Sequence, residues 1–176
     1  MGSRGFYTQP EYSNELKFGS NLRIYNYPVT QKGELFGNER ELEEYVAKNE
    51  LYKKLGINRV ERQHSPRGTK DKLDFKGFCE GQEIAVFELK NRGGGKSAVE
   101  QVFRYAGFLR QEFPSCQIRT ILVTGIQNYE TAMAIRGMSP KQQSSFEWYL
   151  YKYHKDIEYF EFERVEWTDF KSQNKC

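Results

Sequence analysis

The run Glu83-Ile84-Ala85-Val86-Phe87-Glu88-Leu89-Lys90 constrains this chain more than any other stretch. Its apolar residues fill a strand's length, yet a carboxylate and an ammonium interrupt its end. Successive side chains of a strand point to opposite faces. Glu88 and Lys90 therefore share a face with Ile84 and Val86, and Ala85, Phe87 and Leu89 share the other. Burying charge is expensive unless it is paired or bound to a metal. Two readings follow: a strand end that reaches solvent with a surface ion pair, or a site.

The neighbouring sequence supplies partners. Lys72 to Cys79 reads as a strand with Leu73 and Phe75 on one face and Asp74 on the other. Gly81-Gln82 forms the turn to the next strand, so the two make an antiparallel hairpin that brings Asp74 and Glu88 to comparable heights. Upstream, Asn38 to Lys54 reads as a helix capped by Asn38, with Glu39 and Glu41 in its first turn, Leu42, Tyr45 and Val46 at helical spacing, and Gly56 closing it. Glu39 falls beside Leu42 and Val46 on the helical wheel, and Glu43 lies further toward the polar side. Arg59 to Gln63 is a short strand, followed by an irregular basic loop over 64–71 that carries Arg67 and Lys70.

Downstream, Asn91-Arg92-Gly93-Gly94-Gly95-Lys96 is a flexible basic loop. It lacks the G-x-x-x-x-G-K-S/T frame of a phosphate-cradling loop. Ser97 is positioned to cap a helix that runs through Ala98, Val102, Phe103, Ala106 and Leu109 toward Pro114, with Gln101, Arg104 and Tyr105 near one another on it. Cys116 to Thr124 is the next buried strand and Gly125 ends it. A helix followed by an apolar strand indicates a crossover, and so an α/β fold with a mixed sheet.

Both ends of the chain read less sharply. In residues 1–37, Leu22 to Tyr27 alternates as a strand that Pro28 ends or confines to an edge; the segment suits an extra strand, an arm on a partner or a partly ordered leader. After 126, Glu130 to Ile135 is a short helix, Ser139-Pro140 starts another, Lys141 to Tyr153 is helical with an aromatic face at Phe146, Tyr149, Leu150 and Tyr153, and Ile157 to Val165 is a final strand. The chain thus divides into an N-terminal extension over 1–37, a core over 38–126 and helix and strand elements over 127–176 packed on that core.

With 176 residues, 15% of them aromatic, the chain can bury a sizeable core. Aromatic residues at structural spacing belong to a core more often than to a base-stacking surface. A net charge of +3 favours a nucleic-acid partner only mildly. Cys79, Cys116 and Cys176 are odd in number and widely spaced, and His64 and His154 lie far apart. This argues against a disulfide framework and a zinc finger and makes a reducing compartment the default expectation. No apolar run has the length of a membrane span and no signal peptide is legible, so the expected location is cytoplasmic, with no membrane partner.

The order is an acidic helix, a strand with Asp74, a strand with Glu88-Leu89-Lys90 and a helix with Gln101. Carboxylates on adjacent strands repel unless a cation lies between them, and hard oxygen donors suit Mg²⁺ or Mn²⁺. Such a site can activate water and stabilise charge on a phosphoryl oxygen, and an adjacent lysine can hold the water or neutralise developing charge.

These residues resemble the PD-(D/E)xK superfamily of restriction-endonuclease-like nucleases. Asp74 is similar to its strand aspartate, Glu88-Leu89-Lys90 to its E-x-K tripeptide and Glu39 to its helix-one glutamate, with Glu43 one turn away as the reserve. Ala98-Val99-Glu100-Gln101-Val102-Phe103-Arg104-Tyr105 is similar to its Q-x-x-x-Y-like helix motif, most of all that of NucS-type endonucleases and their archaeal Holliday-junction relatives. Leu73 stands where the superfamily's name has proline. The resemblance covers roughly Asn38 to Thr124.

It implies an αβββαβ core with a central mixed sheet flanked by helices, and a metal-dependent endonuclease that hydrolyses DNA phosphodiesters in repair, recombination or defence. By the same resemblance Asp74, Glu88, Lys90, Gln101 and Glu39 are catalytic. Asp74, Glu88 and Leu89 are the metal positions for Mg²⁺, for which Mn²⁺ can substitute. Arg67, Lys70, Arg92, Lys96, Arg104 and Tyr105 are the nucleic-acid positions, with Arg104 and Tyr105 either touching DNA or bracing the site. The alternatives are an RNA nuclease on the same fold, a binding module that does not cut, and an assembly module that uses its aromatic C-terminal region, in keeping with a homodimer.

Overall fold

The structure, a computed structural model, describes residues 34–167 and 170. The strand expected over Leu22 to Tyr27 lies outside them. Among the described residues no helix is long and apolar enough to cross a membrane.

The first helix, α1, spans Glu39–Lys48, and Asn38 caps it by accepting from the Glu41 amide. The expected single helix to Lys54 breaks here. Asn49 turns its amide back onto the last turn, Glu50 takes a left-handed backbone, and a separate 3-10 turn covers Leu51–Leu55. The break re-aims Leu51, Tyr52 and Leu55 into the core, which a straight helix continued to Lys54 would carry past it.

Three antiparallel strands follow: β1 (Arg59–His64), β2 (Leu73–Phe78) and β3 (Glu83–Lys90). The helix α2 (Gly95–Glu112) then crosses to β4 (Gln117–Thr124), which lies parallel to β3. This is the α/β arrangement and the mixed sheet that the sequence predicts.

The helix α2 starts two residues before the cap expected at Ser97. Gly94 occupies the cap position and no side chain caps the helix. The glycines let the first turn tuck under the sheet. A Cβ on Gly94 would lie 2.8 Å from that of Ala98, and Gly95 has a φ of +62° that glycine alone adopts cheaply.

Beyond β4 come α3 (Tyr129–Arg136) and α4 (Pro140–Ser144), the latter started by a Ser139–Gln142 capping box. The helix expected over Lys141 to Tyr153 is instead mostly strand. The strand β5 covers Phe146–His154, parallel to β4, and β6 covers Tyr159–Arg164, antiparallel to β5. Phe146, Trp148 and Leu150 pack into the α2 side of the core, and Tyr149, Tyr151 and Tyr153 into the α1 side. That alternation of period two is hidden when aromatic and apolar residues stand on both faces, and the free edge of β4 decides the matter in favour of strand. The expected final strand is also shorter, because Lys155–Ile157 forms a 3-10 turn with Ile157 exposed.

The six strands of the described residues lie in sequence order in one sheet. Leu42, Val46 and Leu55 cover one face with Phe75, Phe87 and Leu89. The other face joins Ile84 and Val86 to Val102, Leu109, Leu122 and Trp148. The aromatic residues of β5 and β6 other than Tyr159 therefore pack into the core.

Gly125, just past β4, is held by the Lys90 and Arg92 carbonyls. A Cβ there would press into the Asn91 carbonyl oxygen and lie 2.5 Å from Leu35 Cδ2 and 2.9 Å from the Tyr151 hydroxyl. Because two of these neighbours are buried or backbone, Gly125→Ala is expected to destabilise the protein by about 3 kcal/mol in urea unfolding. A loss below about 1 kcal/mol would show that the neighbours move aside.

Candidate active site

The β2–β3 register pairs Phe75 with Phe87, which sets Asp74 across from Glu88 on the face that α2 covers. The Asp74 carboxylate accepts from the Leu89 amide at 2.9 Å. Glu88 is 1% exposed. Gln101, reaching down from α2, donates to Glu88 Oε1 at 2.6 Å, and Lys90 Nζ donates to the same oxygen at 3.2 Å. Lys90 Nζ also lies 3.5 Å from Glu39, the first residue of α1. The structure thus brings together Asp74, Glu88, Lys90, Gln101 and Glu39, which come from four separate elements.

Tyr105 holds Gln101 from behind. Gln101 Nε2 gives its second hydrogen bond to the Tyr105 hydroxyl at 3.3 Å, and that hydroxyl donates to the Lys72 carbonyl at 2.6 Å. Tyr105 is 2% exposed, so of its two expected roles its placement is that of the brace. One hydroxyl therefore ties α2 to the residue two places before Asp74.

Burial dominates the electrostatics. Desolvation pushes the Asp74 carboxyl up to about 6, although the Leu89 amide and the Lys90 charge pull it down. Desolvation, with the Asp74 charge second, pushes Glu88 up to about 8. For Lys90, burial works against the ammonium, but Glu88, Glu39 and Asp74 outweigh it and hold the group above its ordinary value. Lys90 is therefore an ammonium at neutral pH, a donor of hydrogen bonds and positive charge. Two carboxylates forced together out of water bind protons too tightly, and this is the condition that a divalent cation relieves.

The donor set fits Mg²⁺ or Mn²⁺. Mg²⁺ commonly takes one or two carboxylates and keeps several waters. Asp74 and Glu88 supply the carboxylates. The Leu89 side chain is buried in the core and its amide serves Asp74, so only its carbonyl is left for a cation. Among the described residues no group of three or more His, Cys, Asp or Glu side chains is arranged to hold a metal ion.

The two helix-one glutamates exchange the environments that the wheel predicts. Glu43 is 7% exposed, with Arg62 Nε at 2.9 Å on one oxygen and Gln63 Nε2 at 2.8 Å on the other. Glu39 is exposed except where it meets Lys90. A helical wheel sees only its own helix, whereas here the Arg62 and Gln63 side chains of β1 reach across to Glu43. Gln63 reaches it from a left-handed backbone, φ +50°, a conformation costly for a non-glycine residue.

Of the remaining nucleic-acid positions, Arg67, Lys70, Arg92 and Lys96 are exposed. Lys96 pairs with Glu100 at 3.3 Å, and Arg104 pairs with Asp71 at 3.0 Å with its guanidinium near the Tyr105 ring. Sequence reasoning missed Asn91. It is 7% exposed, and its one signal is a polar residue placed directly after Glu88-Leu89-Lys90.

The sequence matches no protein-family model and no curated protein. Solved structures do resemble it. A repair endonuclease from Pyrococcus abyssi superposes with a TM-score of 0.51 at 23% identity, over 65% of this chain and 47% of that one. The EndoMS–dsDNA complex gives 0.49 at 21% identity, over 68% of this chain and 46% of that one. The chain spans about half the length of the structures it resembles. Over that shared portion, this chain has the fold of the Pyrococcus abyssi repair endonuclease.

Proposed function

We propose that the chain is a divalent-metal-dependent endonuclease that hydrolyses DNA phosphodiesters. The observation that carries this reading is the half-buried Asp74 opposite the buried Glu88, with Lys90 and Gln101 both on Glu88, within 3.2 Å. The fold shared with a structure described as a repair endonuclease supports it.

Bound Mg²⁺ would polarise a phosphoryl oxygen and lower the pKa of a coordinated water. The protein's own residues do the rest. Gln101 and Lys90 hold Glu88 Oε1, and the Leu89 amide holds Asp74 Oδ2, which leaves the second oxygen of each carboxylate as the one to meet a cation. The Lys90 ammonium stabilises negative charge that grows on the scissile phosphate or orients the attacking water. Its raised proton affinity makes it a poor general base. The exposed cations Arg67, Lys70, Arg92 and Lys96 hold flanking phosphates, which positions a strand without reading its sequence.

The test is cleavage of plasmid, linear duplex, branched and single-stranded DNA, and of RNA, with Mg²⁺ or Mn²⁺ against a chelator control. DNA is expected to be cut only with metal, and Lys90→Ala is expected to lose about a hundredfold in rate. Intact DNA in every arm would overturn the reading, and cutting confined to RNA would move it to the other nucleic acid.

A further inference from the structure

We propose that Asn91 and Tyr151 are positioning residues of the active site, seating the start of α1 against the end of β3 so that Glu39 faces Lys90. What Glu39 and Lys90 do there rests on the nuclease reading; how they are held rests on the geometry.

Asn91 follows Lys90 in the chain. Its side-chain amide donates to the Phe36 carbonyl at 2.6 Å, and a carbonyl can only accept, so the orientation of the Asn91 side chain is decided. The Tyr151 hydroxyl lies 2.7 Å from Asn91 Oδ1 and 2.9 Å from the Asn91 carbonyl, sharing its one proton between them. Both side chains are buried, where hydrogen bonds are directional and costly to leave unmade.

On the far side of this clasp, Phe36 stacks on Tyr153 and packs against Tyr45 and Tyr151. Two residues later Asn38 caps α1, and Glu39 is next. Asn91 therefore fixes Lys90 through the peptide bond and Glu39 through Phe36. The Glu39 side chain is half-exposed and meets the Lys90 ammonium. Placement of the backbone is what keeps these two charges 3.5 Å apart. The absence of a side chain at Gly125 is part of the same device, since a Cβ there would occupy the space where Leu35, Asn91 and Tyr151 meet.

Tyr151→Phe removes one hydroxyl and leaves the ring that stacks on Phe160. It is expected to lower kcat for DNA cleavage about tenfold with KM within about twofold. Asn91→Asp keeps the acceptor for Tyr151 but loses the donor to Phe36, and should do the same. In a Glu39→Gln background, Tyr151→Phe should change kcat by less than about twofold, because the contact it positions is already gone. Full additivity, or an unchanged kcat in the single variants, would overturn the proposal.

Amide hydrogen exchange reads the same clasp without activity. Both variants should speed exchange over residues 36–42 about tenfold while α2 stays protected, and unchanged protection would overturn the proposal. If the wild type cuts no DNA, the nuclease reading falls and the exchange result alone decides the positioning.

Discussion

Asp74→Asn is expected to lower metal-dependent DNA cleavage by about a thousandfold, equivalent to ~4 kcal/mol of transition-state stabilisation. The fold should survive it. Asparagine keeps a side-chain oxygen for the Leu89 amide, which is the hydrogen bond Asp74 makes in the resting protein, and it removes a charge that burial already disfavours. A loss of activity accompanied by an unchanged or higher melting temperature separates a ligand from a structural carboxylate. Activity within about tenfold of the wild type would remove Asp74 from the catalytic set.

The second large effect is on stability. Glu88→Gln should abolish cleavage and make the metal-free protein more stable, increasingly so as pH rises. The sign follows from the direction of the shifts. Asp74 is raised to about 6 and Glu88 to about 8, from 3.8 and 4.5, so over that interval the native state holds protons that the unfolded chain releases. Stability is then full at low pH and is lost as pH rises through the folded values. Glutamine removes most of that loss.

The stability difference between variant and wild type should therefore grow by on the order of 2 kcal/mol from pH 5 to pH 8. Titrating groups outside the Asp74–Glu88 pair cancel in the comparison, and urea unfolding at each pH measures it. At pH 8, Mg²⁺ at a hundred times its dissociation constant should return about 2.7 kcal/mol to the wild type and much less to the variant. A pH-independent difference between the two proteins would sink this account of the pair.

The parts of the site that were legible in the sequence are those where local pattern and tertiary environment agree. Asp74 and Glu88 belong to one hairpin whose turn residues are explicit, and Gln101 sits on a helix whose apolar spacing is regular, so each could be placed from its own neighbourhood. Phe146 to His154 could not, because a run aromatic or apolar on both faces satisfies the periods of helix and strand alike and only the edge of β4 chooses. The burial of Glu43 depends on Arg62 and Gln63 from another element, and the clasp of Asn91 depends on Tyr151. Ser97 was displaced as a cap by glycines whose use is packing against Ala98, a contact that a propensity rule does not contain.

The separations along the chain also imply an order of assembly. The contacts joining Asp74 to Glu88 and to Leu89 across the hairpin close loops of 14 and 15 residues, whereas the Asn91 clasp spans 55 residues to Phe36 and 60 to Tyr151. Longer loops cost more entropy to close and form later along a folding route. The opposed carboxylates thus meet while the chain is still incomplete, and the segment that brings Glu39 to Lys90 docks only after β5 has joined the sheet. A divalent cation present during refolding would act on the early hairpin, so its influence should appear in the folding rate as well as in the final stability.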